Sequence, residues 1–348
     1  MIDVGNSGTT LRLCTGLAAL GNESIKFTGD KQIQNRPIKP LLDALNNLGA
    51  SCKNINNNNS APIEIQGKIT GGTTKIDGIT SQYLSSLLIC TPFAQNKTTI
   101  LPENLNEKPY VEMTISWLDK LGLKYTRNQY EKFEIPGNQT LNGFTIEVPG
   151  DFSSATFPLC AAAMMNSNVT LTGLDITDSQ GDKKVIEYLQ KMGAKITVTN
   201  QIINNSNTSI INIQGGNLKG ATLDLNDTPD ALPAMAVAAC IASGTTILKN
   251  VPQARIKETD RIAVMHMQLT KMGADIEELP DGLIIKNSNL TGTTLHSHDD
   301  HRIAMALTLA GMIAKEETIV SDAECINITF PNFIELMQSI SANITKIN

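Results

Sequence analysis

Apolar residues along this chain fall into two kinds of helical stretch that alternate, separated by short segments of strand-like alternation. The first kind is amphipathic and ends in the same way four times: LLDALNNLGA at 41–50, TISWLDKLGL at 114–123, VIEYLQKMGA at 185–194 and MQLTKMGA at 267–274. Leucine or methionine at helical spacing precedes Gly49, Gly122, Gly193 and Gly273, so each glycine is expected in the left-handed position that closes a helix. These markers stand 73, 71 and 80 residues apart. The second kind opens with small hydroxyl or acidic residues and runs on as a long apolar stretch. Its copies are NSGTTLRLCTGLAAL, ITSQYLSSLLICTPFA, DFSSATFPLCAAAMM, DTPDALPAMAVAACIA and DDHRIAMALTLAGMIA. Between them TKIDG, FTIEVPG, ATLDLND and GLIIKN alternate as strands do. A unit of about seventy residues with two helices exceeds the roughly 20–50 of solenoid repeats and can form a layer of its own. Met1 to Val4 reads as the end of a strand running straight into a helix of the second kind, so the chain is expected to enter a repeat halfway.

Composition narrows the class. Hydrophobic residues make up 41% and charged residues 18% of 348 positions, ordinary globular usage for a chain long enough for two domains. A net charge of -6 argues against a broad surface for nucleic acid or anionic membrane, so any anionic ligand must meet a local cluster of cations. No apolar run approaches the roughly eighteen residues of a membrane span, and no secretory leader is evident; a cytoplasmic location is expected. The six cysteines are scattered without a CxxC pair and read as reduced core residues.

Arginine is scarce, with six among 28 basic residues, and Arg12, Arg36, Arg255, Arg261 and Arg302 all lie in glycine-, proline- or charge-rich motifs near helix starts. A guanidinium fork binds phosphate or carboxylate through two bonds, so a site for multiply anionic ligands is one explanation; surface ion pairs are the other. Asn6-Ser7-Gly8-Thr9-Thr10 leads to Arg12 and can offer backbone N–H groups to an anion or merely cap a helix. Thr80-Ser81-Gln82 has the same two readings, hydroxyls and a turn for a phosphate with the Gln amide over a ring, or a cap. In Arg255-Ile256-Lys257-Glu258-Thr259-Asp260-Arg261, Lys257 and Arg261 are four apart, which on a helix puts them on one face, and the mixed charges suit an active-site ion network. His298-Asp299-Asp300-His301-Arg302, with His296 nearby, has the residue types of a metal site, but the two Asp can instead cap the helix and leave Arg302 for a ligand. Asp230, at the head of an apolar helix, is either a helix-terminus carboxylate or a general base.

Taken together, GNSGTTLRL, NRPI, SQYLSSLL, KPYVEMT, the KETDR run and DDHRIAM resemble the EPSP synthase family, in order and spacing, from Asp3 to Phe333. That resemblance implies an α/β fold, the two-domain inside-out α/β barrel of enolpyruvyl transferases built from repeated βαβαββ units, here with the first unit missing. It puts a partial domain of about two units at 1–149 and a second domain of about three units, lacking an N-terminal strand, at 150–348, with ligands in the cleft between. The implied reaction moves the carboxyvinyl group of phosphoenolpyruvate to the 5-hydroxyl of shikimate 3-phosphate, by addition and elimination, with no metal and no organic cofactor. By the same resemblance Thr80, Ser81 and Gln82 hold the shikimate phosphate and ring, and Asp230 and Lys257 partner the ring hydroxyls, Asp230 as base. Glu258 handles protons at the enolpyruvyl group. Arg36, Arg261 and Arg302 clamp phosphoenolpyruvate beside Asn6 and Gly8. Gln253 stands where some members carry Asn. No nucleic acid and no membrane is implied, and a monomer is expected when complete, although a fragment that pairs with a separately encoded N-terminal piece stays open.

Three departures qualify this reading. Glu107 precedes Lys108-Pro109-Tyr110 where a phosphate-binding Ser is common, so its carboxylate would repel a phosphate unless it turns away. Ile328 replaces a lysine of one branch. The family's upstream segment, with a Lys-Ser pair and an Arg at a helix start, is absent from this sequence, which keeps open an inactive fragment that still binds phosphorylated ligands. A UDP-N-acetylglucosamine enolpyruvyl transferase is a further alternative, against which the KETDR run and the Thr-Ser-Gln segment argue.

Overall fold

The computed structural model describes residues 1–203 and 206–347. It divides into two compact bodies, Met1–Ile146 and a second beginning at Glu147, close to the expected division at 149 and 150.

The first body holds two repeats. One comprises β1 (Ile2–Asp3), α1 (Gly8–Ala18), β2 (Ile25–Thr28), α2 (Lys39–Asn47), β3 (Ser51–Asn54) and β4 (Ile63–Gln66). The other comprises β5 (Gly72–Asp77), α3 (Ser81–Cys90), β6 (Thr98–Glu103), α4 (Lys108–Lys120), β7 (Thr126–Asn128) and β8 (Lys132–Ile135). Their sheets share one order, β1-β2-β4-β3 and β5-β6-β8-β7: a parallel pair joined by a helical crossover, then an antiparallel hairpin. The expectation that the chain enters a repeat halfway is thereby corrected: the first repeat has all six elements, and only β1, at two residues, is short.

The second body begins with α5 (Phe152–Met164), β9 (Asn168–Leu174), α6 (Lys184–Lys191), β10 (Lys195–Ile203) and β11 (Ser206–Gln214). A full repeat follows: β12 (Thr222–Asp224), α7 (Leu232–Ile241), β13 (Thr245–Lys249), α8 (Arg261–Lys271), β14 (Asp275–Leu279) and β15 (Gly282–Lys286). Last come β16 (Thr294–His296), α9 (His301–Ile313), β17 (Ile319–Ser321) and α10 (Phe333–Ser339). The β12–β15 sheet repeats the order of the first body, while β9–β11 form three strands and β16–β17 a parallel pair.

The two helix types differ because their apolar residues are distributed differently. In α5, α7 and α9 apolar side chains point all round, and nearly every one is buried; such a helix has no face to offer water and must lie inside. In α2 and α6 burial is confined to one stripe, Leu41, Leu42, Ala44 and Leu45 in one and Val185, Ile186 and Leu189 in the other. The strands of the sheets turn alternate residues inward, Phe133 and Ile135 on β8 and Leu283 and Ile285 on β15, so each body has helices within and sheets without. Gly49, Gly122, Gly193 and Gly273 close the amphipathic helices with φ of 104°, 71°, 99° and 87°, a region a Cβ would make costly.

FTIEVPG, expected as a strand, is irregular. Phe144 is 54% exposed and Val148 78% exposed, and among the described residues no strand pairs with the segment. Alternation supplies two faces but not the neighbouring strand whose carbonyls and N–H groups a β-ladder requires.

Candidate active site

The predicted site residues form two sets, one in each body. In the first body they cluster at the N-termini of α1 and α3 because both helices begin with a capping hydroxyl. Ser7 accepts from the Thr10 N–H at 3.1 Å, and Thr80 from the Gln82 N–H at 3.4 Å. Asn6, just before α1, donates from Nδ2 to Asp30 at 2.5 Å and Gln32 at 2.6 Å, fixing the loop that carries Arg36. Arg36 is buried with its guanidinium against Gly8: a Cβ at position 8 would lie 2.6 Å from Nη1 and 2.7 Å from Cζ. A side chain there would push the Arg36 guanidinium aside.

Gln82 is held at both ends of its amide. Its Nε2 donates to the Thr9 hydroxyl at 2.8 Å and its Oε1 accepts from Arg12 Nη1 at 2.7 Å. Arg12 is itself buried, stacked 5.5 Å from the Tyr83 ring centre, and donates to the Pro37 carbonyl at 3.4 Å. Arg12 and Thr9 were therefore missed as the residues that orient Gln82. The signal was present, since Arg12 is one of six arginines and lies one helical turn after Gly8.

Glu107 does not turn away from Ser81. Its Oε2 accepts from the Ser81 hydroxyl at 2.8 Å, the Ser81 N–H at 3.2 Å and the Thr80 hydroxyl at 3.4 Å. The carboxylate is 2% exposed and sits on the positive end of α3.

In the second body the set is ionic. Arg261 is 1% exposed, and carboxylates meet its fork on all sides. Nε donates to Asp300 Oδ2 at 2.8 Å and Nη2 to Asp300 Oδ1 at 3.2 Å, a bidentate pair. Nη1 donates to Asp230 at 2.8 Å and Nη2 to Glu258 at 2.5 Å. Asp230 also receives Arg302 Nη2 at 3.1 Å and has Lys257 Nζ at 3.8 Å. Burial by itself would raise the Asp230 pKa, but Arg302, Lys257 and Arg261 outweigh it and hold the carboxyl far below the usual range.

Local structure explains how these groups meet, and corrects two expectations. Lys257 and Arg261 do not share a helical face: Pro252–Ile256 form a 3-10 turn, Asp260 caps α8 by accepting from the Ala263 N–H at 3.0 Å, and Lys257 lies before the helix. They meet at Asp230 instead. Asp230 lies in the 3-10 turn Pro229–Ala231 leading into α7. Of the two aspartates before α9, Asp300 alone caps, accepting from the N–H groups of Arg302 at 2.9 Å and Ile303 at 3.4 Å; Asp299 has φ 57° and stands outside the helix. Asp300 thus has a second role the sequence did not disclose, as the buried brace of Arg261.

Gln253 is buried; its Nε2 donates to the Asn226 carbonyl at 2.8 Å, and its Oε1 has no hydrogen-bond partner among the described residues. His301 is buried beside the set, and burial followed by Arg302 and Arg261 lowers its pKa to about 4, so it is neutral. His296 lies 2.5 Å from Asp322, and His298 hydrogen-bonds Gln268 at 3.1 Å. Arg255 is structural, bound to Asp260 at 2.7 Å, Glu278 at 2.9 Å and the carbonyls of Leu279 and Pro280. Five of the cysteines are buried and all six are free; burial pushes the Cys52, Cys90 and Cys240 thiols up to about 12, so they are inert.

A family model described as EPSP synthase (3-phosphoshikimate 1-carboxyvinyltransferase) matches residues 1–337. The chain is 52% identical over 347 residues to a 3-phosphoshikimate 1-carboxyvinyltransferase of Ruminiclostridium cellulolyticum, covering 100% of this chain and 80% of that protein. It is 50% identical to the one of Acetivibrio thermocellus, covering 99% and 80%. Among solved structures, an EPSP synthase from Acinetobacter baumannii superposes with a TM-score of 0.79 at 29% identity, over 97% of this chain and 78% of that one.

Proposed function

The chain belongs to the EPSP synthase family, with its α/β enolpyruvyl transferase fold, and on that premise we propose how its side chains carry the family's reaction. That reaction transfers the carboxyvinyl group of phosphoenolpyruvate to the 5-hydroxyl of shikimate 3-phosphate and releases phosphate, a step of aromatic amino acid biosynthesis.

The observation that carries the assignment is the convergence of Arg261, Arg302 and Lys257 on the carboxylate of Asp230, with Glu258 on the same guanidinium. Bonds to carboxylates take up the fork of Arg261, so its role is to brace Asp230, Glu258 and Asp300. Arg302 and Lys257 carry the anions of phosphoenolpyruvate; in the first body Asn6 and Gly8 support Arg36. Thr80 and Ser81 hold the shikimate phosphate, the Gln82 amide covers the ring, and the buried Oε1 of Gln253 is an acceptor for a ring hydroxyl.

Asp230 is a poor base while cations surround it. When the phosphoenolpyruvate anions draw on Arg302 and Lys257, their hold on Asp230 weakens and its proton affinity rises. It then takes the proton of the 5-hydroxyl as that oxygen bonds to C2 of phosphoenolpyruvate. Glu258, protonated at the start of the step, delivers its proton to C3, giving the tetrahedral adduct. In the second step Glu258 recovers a proton from C3, the C2–C3 double bond re-forms and the C2–O bond to phosphate breaks, the leaving phosphate oxygen taking the proton held by Asp230, so atoms and charge balance and both carboxyls return to their starting states. Fixed charges that need no reorganisation are the main source of rate in such a site.

We further propose that the enzyme works as a cytoplasmic monomer, supported by its small water-soluble substrates. The test is phosphate release from phosphoenolpyruvate, measured with and without shikimate 3-phosphate. Release should require both, and Asp230→Asn should lower kcat by about 10² to 10⁴, the usual cost of an acid–base group. An Asp230→Asn rate within threefold of the parent would remove Asp230 from the chemistry.

A further inference from the structure

We propose that Glu107 is an internal anion that competes with the phosphate of shikimate 3-phosphate for the N-terminus of α3, and so sets how tightly the protein takes its phosphorylated substrate. The inference rests on the reading of Thr80 and Ser81 as the phosphate's partners.

The donors at the head of α3 are engaged. The Ser81 N–H, the Ser81 hydroxyl and the Thr80 hydroxyl all converge on one atom, Glu107 Oε2. A carboxylate oxygen in that position uses the helix dipole and the charge-assisted hydrogen bonds that a phosphate oxygen would use. Glu107 is delivered there by an unusual backbone. It has φ 55° and ψ 41° immediately before Lys108-Pro109, a left-handed conformation that an unbranched side chain such as glutamate seldom adopts. The result is a buried glutamate whose carboxylate meets the hydroxyls of Ser81 and Thr80.

Two anions cannot hold the same three donors. A phosphate at Ser81 would also lie within a few ångströms of the carboxylate, where like charges repel strongly. Shikimate 3-phosphate must therefore displace Glu107, and its affinity is reduced by whatever holds the carboxylate in place. Shikimate itself, which lacks the phosphate, meets no such competition. Glu107 is in this sense a specificity-setting residue acting against the charged form of the acceptor.

The experiment is calorimetric titration of the full chain with shikimate 3-phosphate and, separately, with shikimate, for the parent, Glu107→Gln and Glu107→Ser. Glu107→Gln keeps an acceptor oxygen for Ser81 and the packing around it while removing the charge, and thermal melts check that both variants are folded. Both should bind shikimate 3-phosphate about tenfold tighter or more, as expected for relief of a like-charge contact, with shikimate affinity unchanged. Ser81→Ala in the Glu107→Ser background should abolish the gain. If Ser81→Ala weakens shikimate 3-phosphate binding but neither Glu107 variant tightens it, the competition is overturned and the phosphate seat stands. If Ser81→Ala changes nothing, or no variant binds shikimate 3-phosphate, the seat itself is misassigned.

Discussion

In the first body Arg12 aligns Gln82 through a hydrogen bond to a neutral amide, whereas in the second body Arg261 is wedged among Asp230, Glu258 and Asp300. The first arrangement orients a side chain that stays uncharged and can meet a neutral ring. The second gathers charges that would be costly to bury singly and are tolerable only together. The difference follows the chemistry proposed for each set, binding an acceptor in one and moving protons beside an anion in the other. It also implies that the two sets respond differently to damage: removal of one member should propagate through the ionic set and stay local in the neutral one.

Arg261→Lys is the change most able to break that comparison. An ammonium cannot span Asp300, Asp230 and Glu258 as a planar fork does, so Asp300, 0% exposed, loses its bidentate partner. Breaking a buried pair costs about 3–5 kcal/mol, and Asp300 also caps α9 and accepts from Thr259 at 3.1 Å. Denaturation can be read body by body, because Trp117, the chain's one tryptophan, lies on α4 of the first body. Far-UV circular dichroism should acquire an early transition while Trp117 fluorescence unfolds as before. Coincident, unshifted transitions would show that the ionic set is no more cooperative than the neutral one.

Much of this contrast could be read from the sequence, for particular reasons. Gly49, Gly122, Gly193 and Gly273 marked the helix ends because the left-handed position excludes most other residues. The uniform apolarity of α7 marked a buried helix because no face was left for solvent. Asp230, Lys257, Glu258, Arg261 and Arg302 could be named because of the family resemblance carried by the KETDR run and DDHRIAM; charge pattern alone left a solvated face or a helix-terminus carboxylate open. Asp300 and Arg261, 39 positions apart, could not be paired, because periodicity fixes which face a residue occupies and not which charge it meets across the fold. Whether Glu107 turns toward or away from a phosphate seat could not be read; its left-handed backbone, invisible in the sequence, turns it toward Ser81. FTIEVPG failed for the converse reason, as its alternation was right and its pairing strand was wanting.

His301 sharpens the comparison by a pH effect confined to the ionic set. Burial, then Arg302 and Arg261, hold its pKa at about 4, below the ordinary value of 6.5. The unfolded chain therefore binds a proton that the folded one refuses between those limits. Stability from this residue is complete above about pH 6.5, falls as pH drops toward 4, and changes no further below it; the loss amounts to about 3 kcal/mol. His301→Asn should flatten the dependence of Tm on pH between about 4 and 6.5 relative to the parent. Parallel curves for the two proteins would mean that His301 is not held neutral by its neighbours.

The smallest effect belongs to Arg12, where the neutral set predicts a local consequence. Arg12 touches no proposed reacting atom; it positions Gln82 by one hydrogen bond and rests on Tyr83. Arg12→Lys keeps the charge and much of the stacking but lacks the guanidinium fork that reaches Gln82 and the Pro37 carbonyl together. Loss of one such bond is worth about 1 kcal/mol, so KM for shikimate 3-phosphate should rise about fivefold. Because the amide is expected to bind ground state and transition state alike, kcat should hold, and so should KM for phosphoenolpyruvate. A fall in kcat, or a matching rise in both KM values, would mean that Arg12 acts on the whole site as Arg261 does, and the two bodies would then differ in charge without differing in design.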